Sequence, residues 1–585
     1  MNSPQEIPKS HLALASILVP AQLFIFNVIT VAVANEEYVA SSLLDIVGLS
    51  LLPFIGFSLG LYLIARYLTA ADQRTFVWIL LPLTFLLVWL QSQILVWDYG
   101  GLTGATIDWA AYPWQGIADI SVWILAITAV IVFRKKIAST MLYVAVVIAG
   151  LQLALNTYSS STRLLVDAEI PAVEEDLEEI MSFSDDQNVI HIIIDGFQSD
   201  ILDELLQLQS FSERYEQHFE GFTIFPETLS VFPYTQFSVP VYLSAEMYRN
   251  DTQKETFIDE TLEQNSIMAA ARENGFQVDL AVNGAYFTRR HASLPHDNIF
   301  DIDNVAAPQD KFSDAALLWD ISLFRAVPHF LKRHVYNDQS WLISRAIIED
   351  VRQSYAFFRH TEFLNLMTET MDTERPEPTY KLIHVKHAHR PMIVNEDCGF
   401  AGRTLPDTRR NLAIQSACAL DTVIELFERL KSLGIYDDAL ILIHADHGGW
   451  VPTLRDGASI PIGEDQAPGW VLSLASPLLM VKPPGDRSEL SRSRALTSLI
   501  DIPDTVSTVM DWDSSFGYRS VFDVEEGEPR ERRSKFYFWH ADEWSNDFTQ
   551  PIIEYSIQGS HFESDWIVVD IHESEQGLRM NDGAD

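Results

Sequence analysis

Hydrophobic residues follow two different patterns along the 585 residues of the chain. In the first part they form uninterrupted runs, each of the length of about 17 to 25 residues that crosses a bilayer core. These five runs lie at 12–34, 43–65, 75–97, 117–133 and 138–156. They predict an N-terminal bundle of five transmembrane helices over residues 1–156.

The first run ends in Ala32-Val33-Ala34, which is similar to a signal-peptidase site. The run is longer than the apolar core of a signal peptide, and four more runs follow it. We therefore favour a retained span. The alternative, cleavage after Ala34, leaves the topology of the remaining spans unchanged.

Charges in the short loops predict the orientation of the spans. The basic residues precede span 1 or lie between spans 2 and 3 and spans 4 and 5, namely Lys9, Arg66, Arg74, Arg134, Lys135 and Lys136. The alternate loops carry Glu36, Glu37, Asp98 and Asp108 and no basic residue. Because basic loops stay in the cytoplasm, we expect a multi-pass inner-membrane protein whose part after span 5 lies in the periplasm.

After residue 187 short buried-type runs alternate with helical periodicity. The runs lie at 188–194, 380–385, 439–443 and 477–481, and the helical stretches lie near 200–218, 260–274, 407–433 and 493–511. This alternation predicts an α/β domain with a mostly parallel central sheet. Ligands of such sheets bind beyond the carboxyl ends of the strands.

Composition divides the outer part into three segments. Residues 157–187 are Ser-rich and then acidic, which is typical of a juxtamembrane linker that is partly helical near 172–182. Residues 188–524 form the predicted catalytic domain. Residues 525–585 are rich in aromatic side chains and predict a small antiparallel appendage.

The net charge of −41 lies almost entirely outside the predicted membrane domain. A domain this acidic is a poor match for nucleic acid, whose phosphates require clusters of Lys and Arg. The acidity indicates solubility rather than a particular chemistry.

The chain has two cysteines, Cys398 and Cys418, both in the part predicted to lie outside. An even pair in an oxidising compartment predicts a disulfide. Two unpaired buried thiols remain the alternative, because sequence alone does not establish the pairing.

Potential metal ligands follow two of the buried runs. Asp195 comes directly after the run 188–194, and Asp446-His447-Gly448 follows the run 439–443. Two carboxylates and an imidazole suit a divalent cation, with Zn²⁺ as the first choice and Mn²⁺ or Ca²⁺ as alternatives.

Thr235 precedes a predicted helix in the segment 232–245. A hydroxyl at a helix N-terminus beside a metal ion can act as a nucleophile, because the cation and the helix amides stabilise its alkoxide. Threonine is equally common as a helix N-cap, so the segment alone supports both interpretations.

The segment Thr235-Gln-Phe-Ser-Val-Pro is similar to the T-x-x-S-V-P segment of lipid A phosphoethanolamine transferases. Together with Asp195, the Asp446-His447-Gly448 run and five N-terminal spans, it resembles the alkaline phosphatase superfamily branch of sulfatases, lipoteichoic acid synthases and these transferases. The resemblance implies a sulfatase-like fold and a metal held by Asp195, Thr235, Asp446 and His447.

The segment 383–391 resembles the histidine segment of that branch, which ends in His-x-Pro. The resemblance implies that His389 contacts the substrate phosphate or protonates the leaving group. His387, His384, Gln236 and Ser238 are the further candidates for substrate binding.

Three departures limit the resemblance. The transferases usually have Glu at the position of Asp195. They also carry a histidine about a dozen residues after Asp-His-Gly, whereas residues 448–465 contain none. The C/S-x-P-x-R motif that sulfatases convert to formylglycine is absent around Thr235, which argues against sulfate-ester hydrolysis by that route.

The resemblance implies an integral membrane enzyme that moves a phosphoethanolamine- or phosphoglycerol-like group from a phospholipid donor to an envelope glycan or lipid through phosphothreonine. A phosphodiesterase or phosphatase that uses water as acceptor would employ the same residues. A catalytically silent, lipid-sensing regulator is the alternative outside enzymes, and the complete set of metal ligands argues against it.

Overall fold

A computed structural model describes residues 7–34, 41–97, 99, 107, 109–164, 177–208, 212, 215–283, 285–288, 294–304, 311–337, 340–347, 355–455, 457–463, 465–538 and 546–574. The chain forms two compact units. Unit 1 comprises Met1–Ala172 and Pro308–Val351, and unit 2 comprises Val173–Ala307 and Arg352–Asp585. The acidic loop residues Glu36, Glu37, Asp98 and Asp108, and residues 165–176 of the predicted linker, lie outside the described residues.

Among the described residues of unit 1, five helices are long and apolar enough to cross a bilayer, and we number them spans 1 to 5. They are Lys9–Ala34, Leu43–Tyr67, Asp72–Gln93, Pro113–Arg134 and Thr140–Ser160. Each overlaps one of the apolar runs in the sequence, so the prediction of five membrane-type helices is confirmed. The length and hydrophobicity of the runs were sufficient for this prediction.

Spans 4 and 5 lie on a stretch that is helical throughout Pro113–Leu164, including the basic residues between them. A straight helix would separate Trp123 from Gln152 by about 44 Å. However, Trp123 Nε1 donates to Gln91 at 2.9 Å, and Gln152 accepts from Trp89 Nε1 at 3.3 Å. Trp89 and Gln91 lie only two residues apart in span 3. The stretch Pro113–Leu164 therefore cannot be one straight helix, and the chain must reverse its direction between Trp123 and Gln152.

Residues 308–351 belong to unit 1, although the predicted catalytic domain included them. The described part contains the helices Lys311–Ala326, His329–Val335 and Ser344–Ile347 and the paired strands Tyr336–Asn337 and Ser340–Trp341. Trp319 Nε1 donates to Ser50 Oγ of span 2 at 2.8 Å, and the His329 amide donates to Asp119 Oδ2 of span 4 at 2.7 Å. The insert therefore packs on the spans.

Unit 2 contains an eight-stranded sheet. Its strands are β1 Asn188–Ile194, β2 Thr223–Ile224, β3 Gln277–Val282, β4 Asn298–Asp301, β5 Thr379–Val385, β6 Leu440–His444, β7 Leu479–Lys482 and β8 Ser491–Arg492. Their order is β8-β2-β7-β6-β1-β5-β3-β4. The five strands from β6 to β4 are parallel, whereas β7 is antiparallel to both β6 and β2. The mostly parallel α/β sheet is confirmed.

Helices cover both faces of the sheet. Those of unit 2 are Leu177–Met181, Ser199–Gln207, Thr235–Ser244, Lys254–Gln264, Ile267–Glu273, Ala285–Thr288, Ala356–Thr370, Arg409–Leu433, Gly469–Leu474 and Ile502–Val509. Ile192 packs in the same core cluster as Phe427, whereas its neighbour Ile193 packs with Tyr242 in the other cluster. Because both faces of β1 are buried, its sequence is continuously apolar rather than alternating.

Unit 2 also contains a three-stranded sheet and several two-stranded sheets. Three antiparallel strands, β9 Glu531–Phe536, β10 Ile552–Gln558 and β11 Ile567–His572, lie in the predicted C-terminal appendage. The two-stranded pairs of unit 2 are Ser182–Ser184 with Asp372–Arg375, Met392–Val394 with Phe400–Leu405, and Pro461–Ile462 with Asp465–Gln466.

Candidate active site

The sheet brings the two predicted carboxylates to one edge. In the register of β6 against β1, His444 lies opposite Ile193. Because both strands run in the same direction, Asp195 and Asp446 follow at the same carboxyl end of the sheet. Both side chains are buried. The Asp195 amide donates to the carbonyl of Val385 at 2.9 Å, which continues the ladder past the end of β1.

His447 faces both carboxylates. Its Nε2 lies 3.7 Å from Asp195 Oδ1 and 3.5 Å from Asp446 Oδ2. Its Nδ1 lies 2.8 Å from the carbonyl of Gly448, and because a carbonyl only accepts, this nitrogen carries the proton. In the neutral ring Nε2 then has a free lone pair, as a metal ligand requires.

Gly448 is a steric requirement of this loop. A Cβ at this position would lie 1.9 Å from the carbonyl oxygen of Ser473. The Gly448 amide donates to Leu474 at 2.8 Å. The glycine of the Asp-His-Gly run therefore lets the ligand loop press against the helix that contains Ser473.

The donor set fits a divalent cation. Ligand atoms of Asp195, Asp446 and His447 all lie within 4.8 Å of one another. Asp195 Oδ1 is buried and has no hydrogen-bond partner in the described part of the chain, which is costly for a carboxylate unless a cation binds it. Two carboxylates and an imidazole with an available Nε2 match the ligands of zinc sites.

The buried charges of the site also shift the pKa values of His447 and Asp195. Burial opposes a positive charge on His447, but the two carboxylates outweigh it and raise its pKa. Burial likewise opposes the charge of Asp195, yet His389 and His447 hold its pKa below the usual range. The site therefore attracts positive charge strongly.

Thr235 is the first residue of the helix Thr235–Ser244, and its hydroxyl does not cap that helix. Tyr234 occupies the N-cap position, and no side chain caps this end. The Thr235 hydroxyl instead donates to Asp446 Oδ2 at 2.6 Å. The structure thus places this hydroxyl beside the metal-ligand candidates, as the nucleophile interpretation requires.

The three histidines of the segment 383–391 have different surroundings. His389 is half-buried, its Nδ1 lies 2.7 Å from the carbonyl of Arg390, and its ring centroid is 6.4 Å from that of His447. Burial lowers the pKa of His389. His384 is buried with Nε2 3.9 Å from Asp195 Oδ2, and no residue that the structure describes forms a hydrogen bond with either ring nitrogen. Both lie at the site.

His387 lies elsewhere. Its Nε2 is 2.9 Å from the hydroxyl of Thr361, and its ring packs at 5.0 Å against Phe357 in the helix Ala356–Thr370. The side chain is fully buried. His387 therefore contacts the helix Ala356–Thr370, whereas His384 and His389 are the histidines of this segment that lie near the carboxylates and His447.

The two helix residues predicted to bind substrate also differ. Ser238 is fully buried, and its hydroxyl donates to the carbonyl of Asp446, which fixes the ligand loop. Gln236 is buried, and neither its side-chain oxygen nor its side-chain nitrogen forms a hydrogen bond within the described ranges. Gln236 therefore keeps hydrogen-bonding capacity, whereas the hydroxyl of Ser238 is in use.

A sequence model of the sulfatase family matches residues 187–512, which is more than half of the chain. The chain belongs to the sulfatase family. Its α/β unit has the fold of the alkaline phosphatase superfamily, and the protein is an enzyme of that superfamily. No curated protein matches the sequence at a significant level.

Solved structures of this superfamily resemble the sulfatase-family chain. A superfamily protein from Vibrio parahaemolyticus is 13% identical with a TM-score of 0.38, over 68% of this chain and 85% of its own. The lipoteichoic acid synthase LtaP from Listeria monocytogenes is 12% identical with a TM-score of 0.37, over 66% and 90%. The periplasmic domain of EcEptC from Escherichia coli, in complex with Zn, is 15% identical with a TM-score of 0.35, over 60% and 90%.

The cysteines of this sulfatase-family chain form a disulfide, Cys398–Cys418. Cys418 lies in the helix Arg409–Leu433, and Cys398 follows the strand Met392–Val394. The bond therefore ties the segment after His389 to a core helix.

Sequence reasoning missed a histidine pair beneath the site. His191 Nε2 in β1 lies 2.6 Å from His444 Nε2 in β6, and the Tyr380 hydroxyl in β5 lies 2.7 Å from His191 Nδ1. These contacts join the three central strands just below Asp195 and Asp446. The signal was a histidine inside each of two continuously apolar runs, where a buried polar group requires a partner.

Proposed function

We propose that this protein transfers a phospho group through a covalent phosphothreonine at Thr235. The observation that carries the proposal is the 2.6 Å hydrogen bond from the Thr235 hydroxyl to Asp446 Oδ2. Asp446 belongs to the cluster with Asp195 and His447. A hydroxyl without a role in the reaction would more commonly cap its helix or face solvent.

We propose Zn²⁺ as the metal, held by Asp195, Asp446, His447 and Thr235 Oγ1. The two carboxylates and imidazole are typical of zinc, while the acidic oxygens also admit Mn²⁺ or Ca²⁺. When bound, the cation supplies the positive charge that lowers the pKa of the hydroxyl and offsets charge that develops on the phosphoryl oxygens.

The residues of the chain account for the proton transfers. The Thr235 hydroxyl passes its proton to Asp446 Oδ2, and Thr235 Oγ1 forms a bond to phosphorus while the bond to the leaving alcohol breaks. His389 donates a proton to that alcohol. The acceptor alcohol then gives its proton to His389 as its oxygen forms a bond to phosphorus. The bond between phosphorus and Oγ1 breaks, and Oγ1 regains its proton from Asp446. The backbone N–H of Gln236, at the helix N-terminus, stabilises the phosphoryl oxygens in both steps.

A membrane phospholipid is the donor that best fits five membrane-type helices on the same chain. Its head group would be phosphoethanolamine- or phosphoglycerol-like, and the acceptor would be an envelope glycan or lipid. We place the reaction on the periplasmic face of the inner membrane, in line with the basic loops between the spans.

The proposal is tested by mass spectrometry of the Thr235 peptide after incubation of the purified protein with phospholipid extract. We expect a phospho adduct on Thr235, its loss in Thr235→Val, and its retention at a lower level in Thr235→Ser. Metal-loaded protein that turns over labelled phospholipid without an adduct would refute the phosphothreonine.

The products of the same reaction separate transfer from hydrolysis. Label in a glycan or lipid fraction supports the transferase. Label found only in a free phosphate ester would instead assign the site to a phosphodiesterase that uses water as acceptor.

A further inference from the structure

A second feature of the site is the side chain that follows His389. Arg390 lines a recess together with His389, His447, Gly196 and Trp450. A cationic side chain therefore stands at the same opening as the proposed acid and a proposed metal ligand.

Aromatic rings fix the position of Arg390. Its guanidinium carbon lies 4.0 Å from the ring centroid of Trp450, the geometry of a cation–π contact. Trp450 stacks in turn on Tyr234, with centroids 5.8 Å apart, and packs on Trp470 at 5.3 Å. Since Tyr234 precedes Thr235, the same aromatic group connects Arg390 with the proposed nucleophile.

The guanidinium still has donors to offer. Among the described residues its ion-pair partner is Asp407, whose Oδ2 lies 3.8 Å from a guanidinium nitrogen, which is longer than a hydrogen bond. About a third of the Arg390 side chain is exposed, with a relative accessibility of 35%. Trp450 Nε1 is buried and has no hydrogen-bond partner among the described residues. Both groups can thus donate to a ligand bound beside them.

The negative charge of the reactants favours cationic and N–H donors at the site. A divalent cation would only balance Asp195 and Asp446. Transfer of the Thr235 proton to Asp446 leaves the net charge of that pair unchanged, and the anionic phosphodiester then adds a further negative charge. A guanidinium matches phosphoryl oxygens with two parallel N–H groups, which gives it an advantage over a point charge.

We infer that Arg390 is a substrate-binding residue that holds the non-bridging oxygens of the phosphoryl group. Trp450 supports its guanidinium. The inference rests on the proposed function, because it assumes that a phosphoryl group occupies the site. It also gives a clamp to a chain that has no histidine in residues 448–465.

The test uses inorganic phosphate as the probe and the zinc-loaded, full-length protein in detergent. Isothermal titration in the Thr235→Val background measures binding without any covalent step. We expect Arg390→Gln to weaken phosphate binding by about 10- to 100-fold, because a hydrogen-bonded charge is lost. The phosphate affinity of Arg390→Lys should lie between those of the parent and Arg390→Gln, because lysine keeps the charge but lacks the planar guanidinium with its two parallel N–H groups. Arg410→Gln is the matched control, because Arg410 is exposed and paired with Glu396.

Two further measurements distinguish loss of the contact between Arg390 and phosphate from a general loss of folding. Guanidinium ion added to Arg390→Ala should restore phosphate binding, and the unfolding temperature of each variant should match that of the parent. Phosphate affinity of Arg390→Gln equal to that of Arg410→Gln would overturn the inference. If the Gln and Ala variants fold poorly, Arg390→Lys decides: parental affinity overturns the inference, and weaker binding at unchanged unfolding temperature supports it.

The result is independent of the phosphothreonine experiment. A missing Thr235 adduct would refute the proposed reaction while leaving phosphate binding by Arg390 measurable. An adduct together with binding that does not depend on Arg390 would refute only the clamp.

Discussion

Asp446→Asn is expected to abolish metal-dependent stabilisation while leaving the metal-free protein nearly unchanged. Asp446 Oδ1 accepts from the amides of Gly196 at 3.3 Å and His447 at 3.0 Å, and Oδ2 accepts from Thr235. Asparagine has almost the same shape and keeps an oxygen for the two amides. It lacks the charge and the second oxygen that a cation requires.

The magnitude follows from linkage between binding and folding. A metal present at a concentration of 100 times its Kd stabilises the native state by about 2.7 kcal/mol. Asp446 is one of the four proposed ligands, and its loss should weaken binding at least as much as loss of an outer-shell partner, for which about 100-fold is the upper range. At the same metal concentration the stabilisation then falls to about 0.4 kcal/mol. For a unit of this size the corresponding rise in unfolding temperature falls from roughly 3 °C to less than 1 °C.

The assay is thermal unfolding of the purified full-length protein with zinc and with chelator, together with metal analysis of each sample. Asp437→Asn is the matched control. Asp437 forms an exposed pair with Arg487 at 2.6 Å, which contributes at most about 1 kcal/mol. We expect the control to keep the full zinc-dependent rise.

Two results would refute the reasoning. Stoichiometric zinc in Asp446→Asn would show that Asp446 is not a ligand. A decrease in unfolding temperature that is equal with zinc and with chelator would show that Asp446 acts only through its hydrogen bonds within the protein.

Three other predictions follow from individual contacts. Gly448→Ala should destabilise the native state by about 3 kcal/mol or more, because its Cβ would lie 1.9 Å from the Ser473 carbonyl; Gly457→Ala, with only ordinary contacts, is the control in thermal unfolding. Burial lowers the pKa of Lys381 to about 8, so the native state loses this proton before the unfolded chain does and the group adds stability as pH rises. The stability of wild type relative to Lys381→Met should therefore improve by roughly 3 kcal/mol between pH 7 and 10.5, and a difference independent of pH in denaturant titrations would contradict this. A cysteine at Lys135 should react with an impermeant maleimide in inverted membrane vesicles and not in intact cells; the reverse would refute the predicted orientation.

Much of the fold could be predicted from local sequence patterns. Length and hydrophobicity were enough for the five spans, since crossing a bilayer imposes a length that few soluble helices need. Continuous apolar runs such as 188–194 identified strands buried on both faces. The same runs located Asp195 and Asp446, because polar residues at the end of a parallel strand must meet at one edge.

Long-range packing decided the features that the sequence did not show. The insert 308–351 contacts the spans through side chains such as Trp319, and an amphipathic helix does not reveal which surface covers its apolar face. His387 and His389 are two residues apart, yet one packs in the core and the other lies at the site. Arg390 and Trp450 meet only because the loops after β5 and β6 converge.

Asp446 explains why the proposed chemistry and the metal would depend on each other. Its carboxylate accepts from Thr235 and Gly196, while its carbonyl accepts from Ser238, which lies one turn beyond Thr235. One residue thus holds the nucleophile, the loop after β1 and the helix that presents the nucleophile. Because a cation on Asp446 would draw on the oxygen that accepts from Thr235, metal binding must change the environment of that hydroxyl. Metal loss should therefore impair attack by Thr235 even where the fold is intact.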